Sequence, residues 1–294
     1  KLWSFIDTNS SATLYFLNYI KTLPENMRML RLTSDLLSAY THPDWSYFWK
    51  RQDVIDRCEK RWSAVGDAAR AADIRLSFHP GQYTVLSSES EKIRENAVAD
   101  VEYHSDIIRW MGYGKSFQDF KMNIHISGKR GPDGIRDMLP RLSTEARNTL
   151  TIENDENSWG LDSTLELESD LPLVLDVHHH WCKTGEYILP TDDRAKRVVD
   201  SWRGVRPVIH YSVSRADYLI QHSPNEKPNY AVLLDAGYKR GKLRAHSDSF
   251  WNMSTNNWAL SFLETSDIMC ESKLKNLSAR QLYDQWLNNK SETT

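Results

Sequence analysis

Seven short apolar or β-branched runs punctuate this chain, most of them separated by stretches long enough for a helix, and this pattern limits its fold more than any other feature. The runs are 29–33, 74–78, 122–126, 150–152, 173–177, 208–211 and 268–269. Between them, 48–73 places Val54, Ile55, Cys58, Trp62, Val65, Ala68 and Ala69 at helical spacing, and 93–112 does the same with Ala97, Val98, Val101, Ile107, Ile108 and Met111. Strands that alternate with helices predict a mostly parallel sheet. A helix is read over 2–22, with Leu14, Phe16, Leu17 and Ile20 as its apolar residues and Pro24 near its end. Seven strands behind a leading helix fit an α/β fold, a TIM (β/α)8 barrel not showing its first strand. That strand is expected upstream of Lys1, because the chain starts without Met and without a signal-peptide pattern.

With 294 residues and no linker-like composition break, a single domain over 1–294 is expected. The stretch 214–241 is polar, contains Pro224 and Pro228, and runs into Lys239, Arg240 and Lys242; it reads as an elaborated loop after the strand bearing His210. Mean hydropathy is −0.61 and no apolar run approaches the ~18 residues of a bilayer span, so a membrane partner is excluded. The net charge of −3 argues mildly against nucleic acid, although bound cations can reverse that balance locally. Cys58, Cys182 and Cys270 form no C-x-x-C pair, which predicts a reducing compartment: cytoplasmic, nucleoid-associated in a prokaryote or virus, or nuclear in a eukaryote.

Ends of the predicted strands carry the chemistry. His79, His125, Glu153, Asp176, the run His178, His179 and His180, then His210, His246 and Glu271 mostly follow an apolar run directly. Imidazole and carboxylate suit Zn²⁺, Mn²⁺ or Fe²⁺, and there are too many here for one tetrahedral ion. A lone strand-end histidine is more often structural than a ligand; the joint occurrence changes the odds. Glu153 and Asp176 have a competing role as helix caps, and Glu271 as a partner of Lys273. If the strand continued through 178–180, His178 and His180 would point away from His179, so Asp176 and His179 are chosen as ligands and the other two held as supporting residues. Two or three ions suit in-line attack on a phosphodiester. Lys129 and Arg130 lie close after His125, and Lys239, Arg240, Lys242 and Arg244 precede His246, which fits phosphate contacts as well as it fits ordinary solvated loops.

Arranged in order from about 31 to 276, the segments RLTSDLLSAYTHP, RLSFHPGQYTVLSS, NIHISG, TIENDE, LVLDVHHHWC, HYS, RAHSD and DIMCESKLKN resemble the ultraviolet-damage endonuclease family. The combination of HPGQY, DVHHH and RAHSD is specific; each fragment alone is weak. The resemblance implies a TIM barrel related to endonuclease IV and a cluster of two or three divalent ions, Mn²⁺ first and Zn²⁺ or Mg²⁺ as alternatives. It also implies damaged double-stranded DNA as the partner, nicked just 5′ of cyclobutane dimers and 6-4 photoproducts and at abasic sites. It places metal ligands at His79, His125, Glu153, Asp176, His179, His210, His246 and Glu271. Gln82 and Tyr83 fall where the family inserts side chains at the lesion, and His42 near the active site. A wedge of that kind replaces stacking where damaged bases are pushed out. Some relatives carry a carbon-dioxide-modified, metal-bridging lysine where this chain has Val208, and Arg206 cannot take that role.

The catalytic assignment is therefore metal-assisted hydrolysis with Glu153, Asp176 and Glu271 as anchoring carboxylates and no protein nucleophile. Cys182 is read as buried structure. A metal-dependent sugar isomerase or epimerase on the same barrel, and a non-catalytic damaged-DNA binder, are the alternatives. A monomer is expected.

Overall fold

A computed structural model describes residues 1–219 and 222–292, and its contacts group into two units, Lys1–Ile152 and Glu153–Thr294.

The first unit holds helices α1 (Leu2–Ile20), α2 (Ser46–Trp49), α3 (Gln52–Ala71), α4 (Glu91–Trp110), α5 (Gly131–Met138) and α6 (Thr144–Thr149). Its strands are β1 (Met29–Leu32), β2 (Arg75–Phe78), β3 (Lys121–His125) and β4 (Leu150–Glu153), side by side in chain order, with Glu153 opening the second unit. β1 and β2 run parallel, from Met29 opposite Arg75 to Leu32 opposite Phe78. Parallel strands are covered on both faces, which is why their sequences are runs rather than alternations; in β3, for example, Met122, Asn123 and Ile124 are all buried.

α1 buries Ile6, Ser10, Thr13, Leu17 and Ile20 at helical spacing. The two buried hydroxyls donate back to the carbonyls of Ile6 and Asn9, so burial leaves them satisfied. Phe16, expected on the apolar face, is exposed, because that face is set by 6, 10, 13, 17 and 20 and residue 16 lies beside it. The single helix expected over 48–73 is two: Arg51 is extended (φ −72°, ψ 136°) and separates α2 from α3. Gly66 on α3 has a steric reason, since a Cβ there would stand 1.9 Å from the carbonyl oxygen of Met111.

Helices α7 (Leu161–Thr164), α8 (Val177–Thr184), α9 (Asp193–Asp200), α10 (Tyr230–Asp235), α11 (Arg240–Leu243), α12 (Met253–Leu260) and α13 (Asn276–Glu292) belong to the second unit. Its strands are β5 (Leu173–Val174), β6 (Val208–Tyr211) and β7 (Asp267–Cys270). β6 and β7 are parallel, Val208 opposite Asp267 and Tyr211 opposite Cys270, and the N–H of His210 donates to Leu175 O just past β5 (3.0 Å). Arg206 is engaged with Asp267 (2.7 Å) at the start of this strand pair, and Val208 is buried within it. The excursion 214–241 contains α10 and the start of α11; its positions 220 and 221 lie outside the described residues. No helix among the described residues is long and apolar enough to cross a membrane.

Candidate metal centre

Asp176 is where sequence and local structure meet most tightly. The strand expected over 173–177 ends at Val174, and the helix α8 begins at Val177 with Asp176 as its N-cap, Oδ1 accepting the His179 N–H (2.7 Å). Asn154 fixes the cap from behind: its Oδ1 accepts the Asp176 N–H (2.9 Å) and its amide donates to Asp176 O (3.0 Å).

One helical turn then brings His179 back over the carboxylates. Its Nδ1 is 3.4 Å from Glu153 Oε1 and 3.6 Å from Asp176 Oδ2. His210 Nδ1 lies 3.1 Å from Glu153 Oε2 and 3.4 Å from Glu271 Oε1, and His246 Nδ1 is 3.9 Å from Glu271 Oε2. His246 does not end a strand; an antiparallel bridge between Ser214 and His246 holds it. His178 and His180 point elsewhere, for a helical reason and not through the alternation of a strand. His178 stacks on Trp181 and faces Cys182 Sγ (3.5 Å), while His180 meets Glu186 (3.0 Å). Lys273 pairs with Asp248 (3.3 Å).

Glu153, Asp176 and His210 are fully buried and each offers a donor atom within 4.8 Å of the others. Two anions at that separation repel by roughly 3 kcal/mol at an effective dielectric constant near 20. Burial, and secondarily the Glu153 and Glu271 charges, push the Asp176 carboxyl well above the usual carboxylate range against the pull of His179. Asp176 Oδ2 is buried and accepts no hydrogen bond among the described residues. Such a set, two carboxylates and an imidazole out of water with an oxygen left over, fits a divalent cation.

In the first unit His79 and His125 bring their rings within 5.1 Å of each other. His79 Nδ1–H donates to Pro80 O (3.1 Å), and its Nε2 faces the amide nitrogen of Asn123 (3.3 Å), which is oriented by the Thr151 hydroxyl donating to Asn123 Oδ1 (2.7 Å). Beyond His79 the chain makes a tight turn, closed by Thr84 N–H to Gly81 O (2.9 Å) and anchored by the Thr84 hydroxyl on Asp100 (2.5 Å). Gln82 and Tyr83 sit at its tip, Tyr83 at 84% exposure. Gly128, three residues after His125, needs its positive φ of 96°, and a Cβ there would meet the Ser87 carbonyl at 2.6 Å. His42 occupies a turn, with Nδ1 accepting the Asp44 N–H (3.2 Å). Lys129 pairs with Glu89 (2.9 Å) and Arg130 with Asp137; in the second unit Lys239 and Arg240 are exposed at the start of α11.

The family model for the UV-endonuclease UvdE matches residues 1–291. The chain belongs to the UvdE family. Its curated relatives include the UV DNA damage endonuclease of Bacillus cereus (strain B4264), 26% identical over 297 residues that cover 97% of this chain and 83% of the relative. Another is the UV DNA damage endonuclease of Bacillus velezensis, 28% identical over 251 residues covering 81% and 71%. Among solved structures, SacUVDE superposes with a TM-score of 0.73 at 23% identity over 100% of this chain and 90% of the other, and endonuclease IV from Thermus thermophilus with 0.54 at 12%, over 88% and 98%. The fold is thus α/β of the TIM-barrel type, the protein is an enzyme of a DNA-cleaving family, and the isomerase and non-catalytic alternatives fall away.

Two residues of this UvdE-family site escaped sequence reasoning. Asn154 was legible only as the neighbour of Glu153, and Glu156 only as one acid in TIENDE. Replacing Asn154 with Ala removes both bonds to Asp176 and is expected to weaken divalent-cation binding about 10- to 100-fold, read by metal titration. Cysteine chemistry is not part of the site: burial pushes the Cys58 and Cys270 thiols up to about 12 and Cys182 well up too. Native protein is therefore expected to resist iodoacetamide at pH 8, and Cys182→Ala to nick as well as the parent.

Proposed function

We propose that this chain nicks double-stranded DNA on the 5′ side of cyclobutane dimers and 6-4 photoproducts, and at abasic sites, by hydrolysis that depends on two or three divalent ions, Mn²⁺ before Zn²⁺ or Mg²⁺. The buried group Glu153, Asp176 and His210, in a chain of the UvdE family, carries the reading. The ligands in this proposal are His79, His125, Glu153, Asp176, His179, His210, His246 and Glu271. When bound, such ions activate water and neutralise charge on the attacking and leaving oxygens of the phosphodiester.

The chain's own residues do the rest. Glu153, Asp176 and Glu271 supply the negative charge that retains the ions, and Asn154 keeps Asp176 aimed. Gln82 and Tyr83 enter the duplex at the lesion and stand in for lost stacking, so that damage is sensed as deformability. His42, Lys129, Arg130, Lys239 and Arg240 contact phosphates. Lys129 and Arg130 must leave Glu89 and Asp137 to do so, a small cost because exposed ion pairs contribute about 0–1 kcal/mol. The chain acts as one domain and as a monomer, in the cytoplasm or, in a eukaryote, the nucleus.

The test is nicking of an end-labelled duplex with one thymine dimer, beside undamaged and abasic duplexes, with Mn²⁺ and with chelator. A chelator-sensitive cut just 5′ of the dimer is expected. Cutting of the abasic duplex alone would remove the probing role of Gln82 and Tyr83, and cutting that survives chelator would remove the metal.

A further inference from the structure

His179 is held so that its two nitrogens face different surroundings. Nδ1 lies 3.2 Å from the carbonyl oxygen of Asn154, which can only accept, so the proton is on Nδ1. Glu153 Oε1 and Asp176 Oδ2, which also approach Nδ1, are acceptors as well. The ring therefore presents its lone pair at Nε2, away from the Glu153, Asp176 and His210 group. What Nε2 faces is Glu156 Oε2, 3.6 Å away. Two donor atoms each about 2.1 Å from one ion are separated by a span of this size. The other carboxylate oxygen, Oε1, accepts from the Asn157 side-chain amide (2.6 Å) and from the Arg244 guanidinium (3.1 Å), which together orient Glu156 while leaving Oε2 toward the ring. The Glu156 side chain is 13% exposed, and His246 stands beside His179 with ring centroids 6.2 Å apart.

We infer that Glu156 is a metal ligand, and that Glu156 Oε2 and His179 Nε2 define an ion position separate from the one at Glu153, Asp176 and His210. This deepens the metal-dependent reading above and rests on it. His179 then serves one ion through Nε2 while its Nδ1–H stays on the Asn154 carbonyl, a ligand oriented by a backbone acceptor behind it. Arg244 is a positioning residue for Glu156.

The experiment is a Mn²⁺ titration of the chelator-treated, desalted full chain, with free Mn²⁺ followed by its paramagnetic resonance signal, for the parent, Glu156→Gln and Asp176→Asn. The parent is expected to bind in more than one class. Glu156→Gln should weaken one class at least about 10-fold and spare the other, and Asp176→Asn should weaken the class that Glu156→Gln spares. Unchanged stoichiometry and affinity in Glu156→Gln overturn the inference, as does loss of every class in a variant whose circular dichroism is that of the parent. A parent that binds no Mn²⁺ overturns the functional reading instead. Should Glu156→Gln fail to fold, Glu156→Asp keeps the charge beside Arg244 and withdraws the oxygen from His179; the same selective loss is expected, and parent-like binding overturns the inference equally.

Discussion

Glu153→Gln should lower nicking of a dimer-containing duplex by at least about 100-fold and reduce bound Mn²⁺, in a protein that remains folded; a ligand change is expected to exceed the 10- to 100-fold typical of residues behind ligands. The argument rests on position. Glu153 is fully buried at the end of β4, with its oxygens shared between His179 and His210, so the substitution removes charge without removing volume. Folding should tolerate it, because one repulsion of roughly 3 kcal/mol inside the cluster disappears. Asp176→Asn makes the same point with a sharper control, since Asn caps helices about as well as Asp. Because burial raises the Asp176 carboxyl above its ordinary 3.8, the folded, metal-free chain binds more protons than the unfolded one over that interval, and this group's contribution to stability falls as pH rises. In chelator, Asp176→Asn is therefore expected to melt at or above the parent temperature, with the gap widening as pH climbs past 3.8. Unaltered nicking by both variants would sink the assignment.

Tyr83→Ala should separate reading the lesion from cutting. The phenol is 84% exposed on a turn whose closure depends on Gly81 and Thr84, so truncation leaves the turn and the proposed metal ligands in place. Base–aromatic stacking contributes about 1–3 kcal/mol per base, which corresponds to a loss of roughly 5- to 150-fold in cleavage of the damaged duplex. Mn²⁺ content should not move. Equal losses in cleavage and in metal would contradict a probing role for this side chain.

All seven expected strands are present, 208–211 to the residue, because buried parallel strands write themselves as uninterrupted apolar runs. Helix bounds were less legible. Nothing in 48–73 announces the extended residue at Arg51, and Ser10 and Thr13 of α1, polar by residue type, are buried because their hydroxyls are satisfied within the helix. In the second unit Glu153, His210 and Glu271 lie at or beside strand ends, where residue type picks them out as candidates, yet the reason His179 is the one that turns inward is a helix cap at Asp176, which a strand reading cannot supply. Asn154 and Glu156 were out of reach for a related cause: each acts by orienting or facing another side chain, and such roles leave no periodic trace.

Because Asp176 both terminates β5's connection and starts α8, its side chain is counted from two directions at once. Inserting or deleting a single residue between Asp176 and His179 would rotate His179 off the carboxylates and break the cap in the same event, whereas a change at Leu175 would shift both away from the end of β5. The excursion at 214–241 carries no such double constraint before His246 is reached. Over evolutionary time length variation in this half of the chain should therefore accumulate between β6 and α11, while the two-residue link at Leu175 and Asp176 stays fixed in length even where the sequence around it drifts.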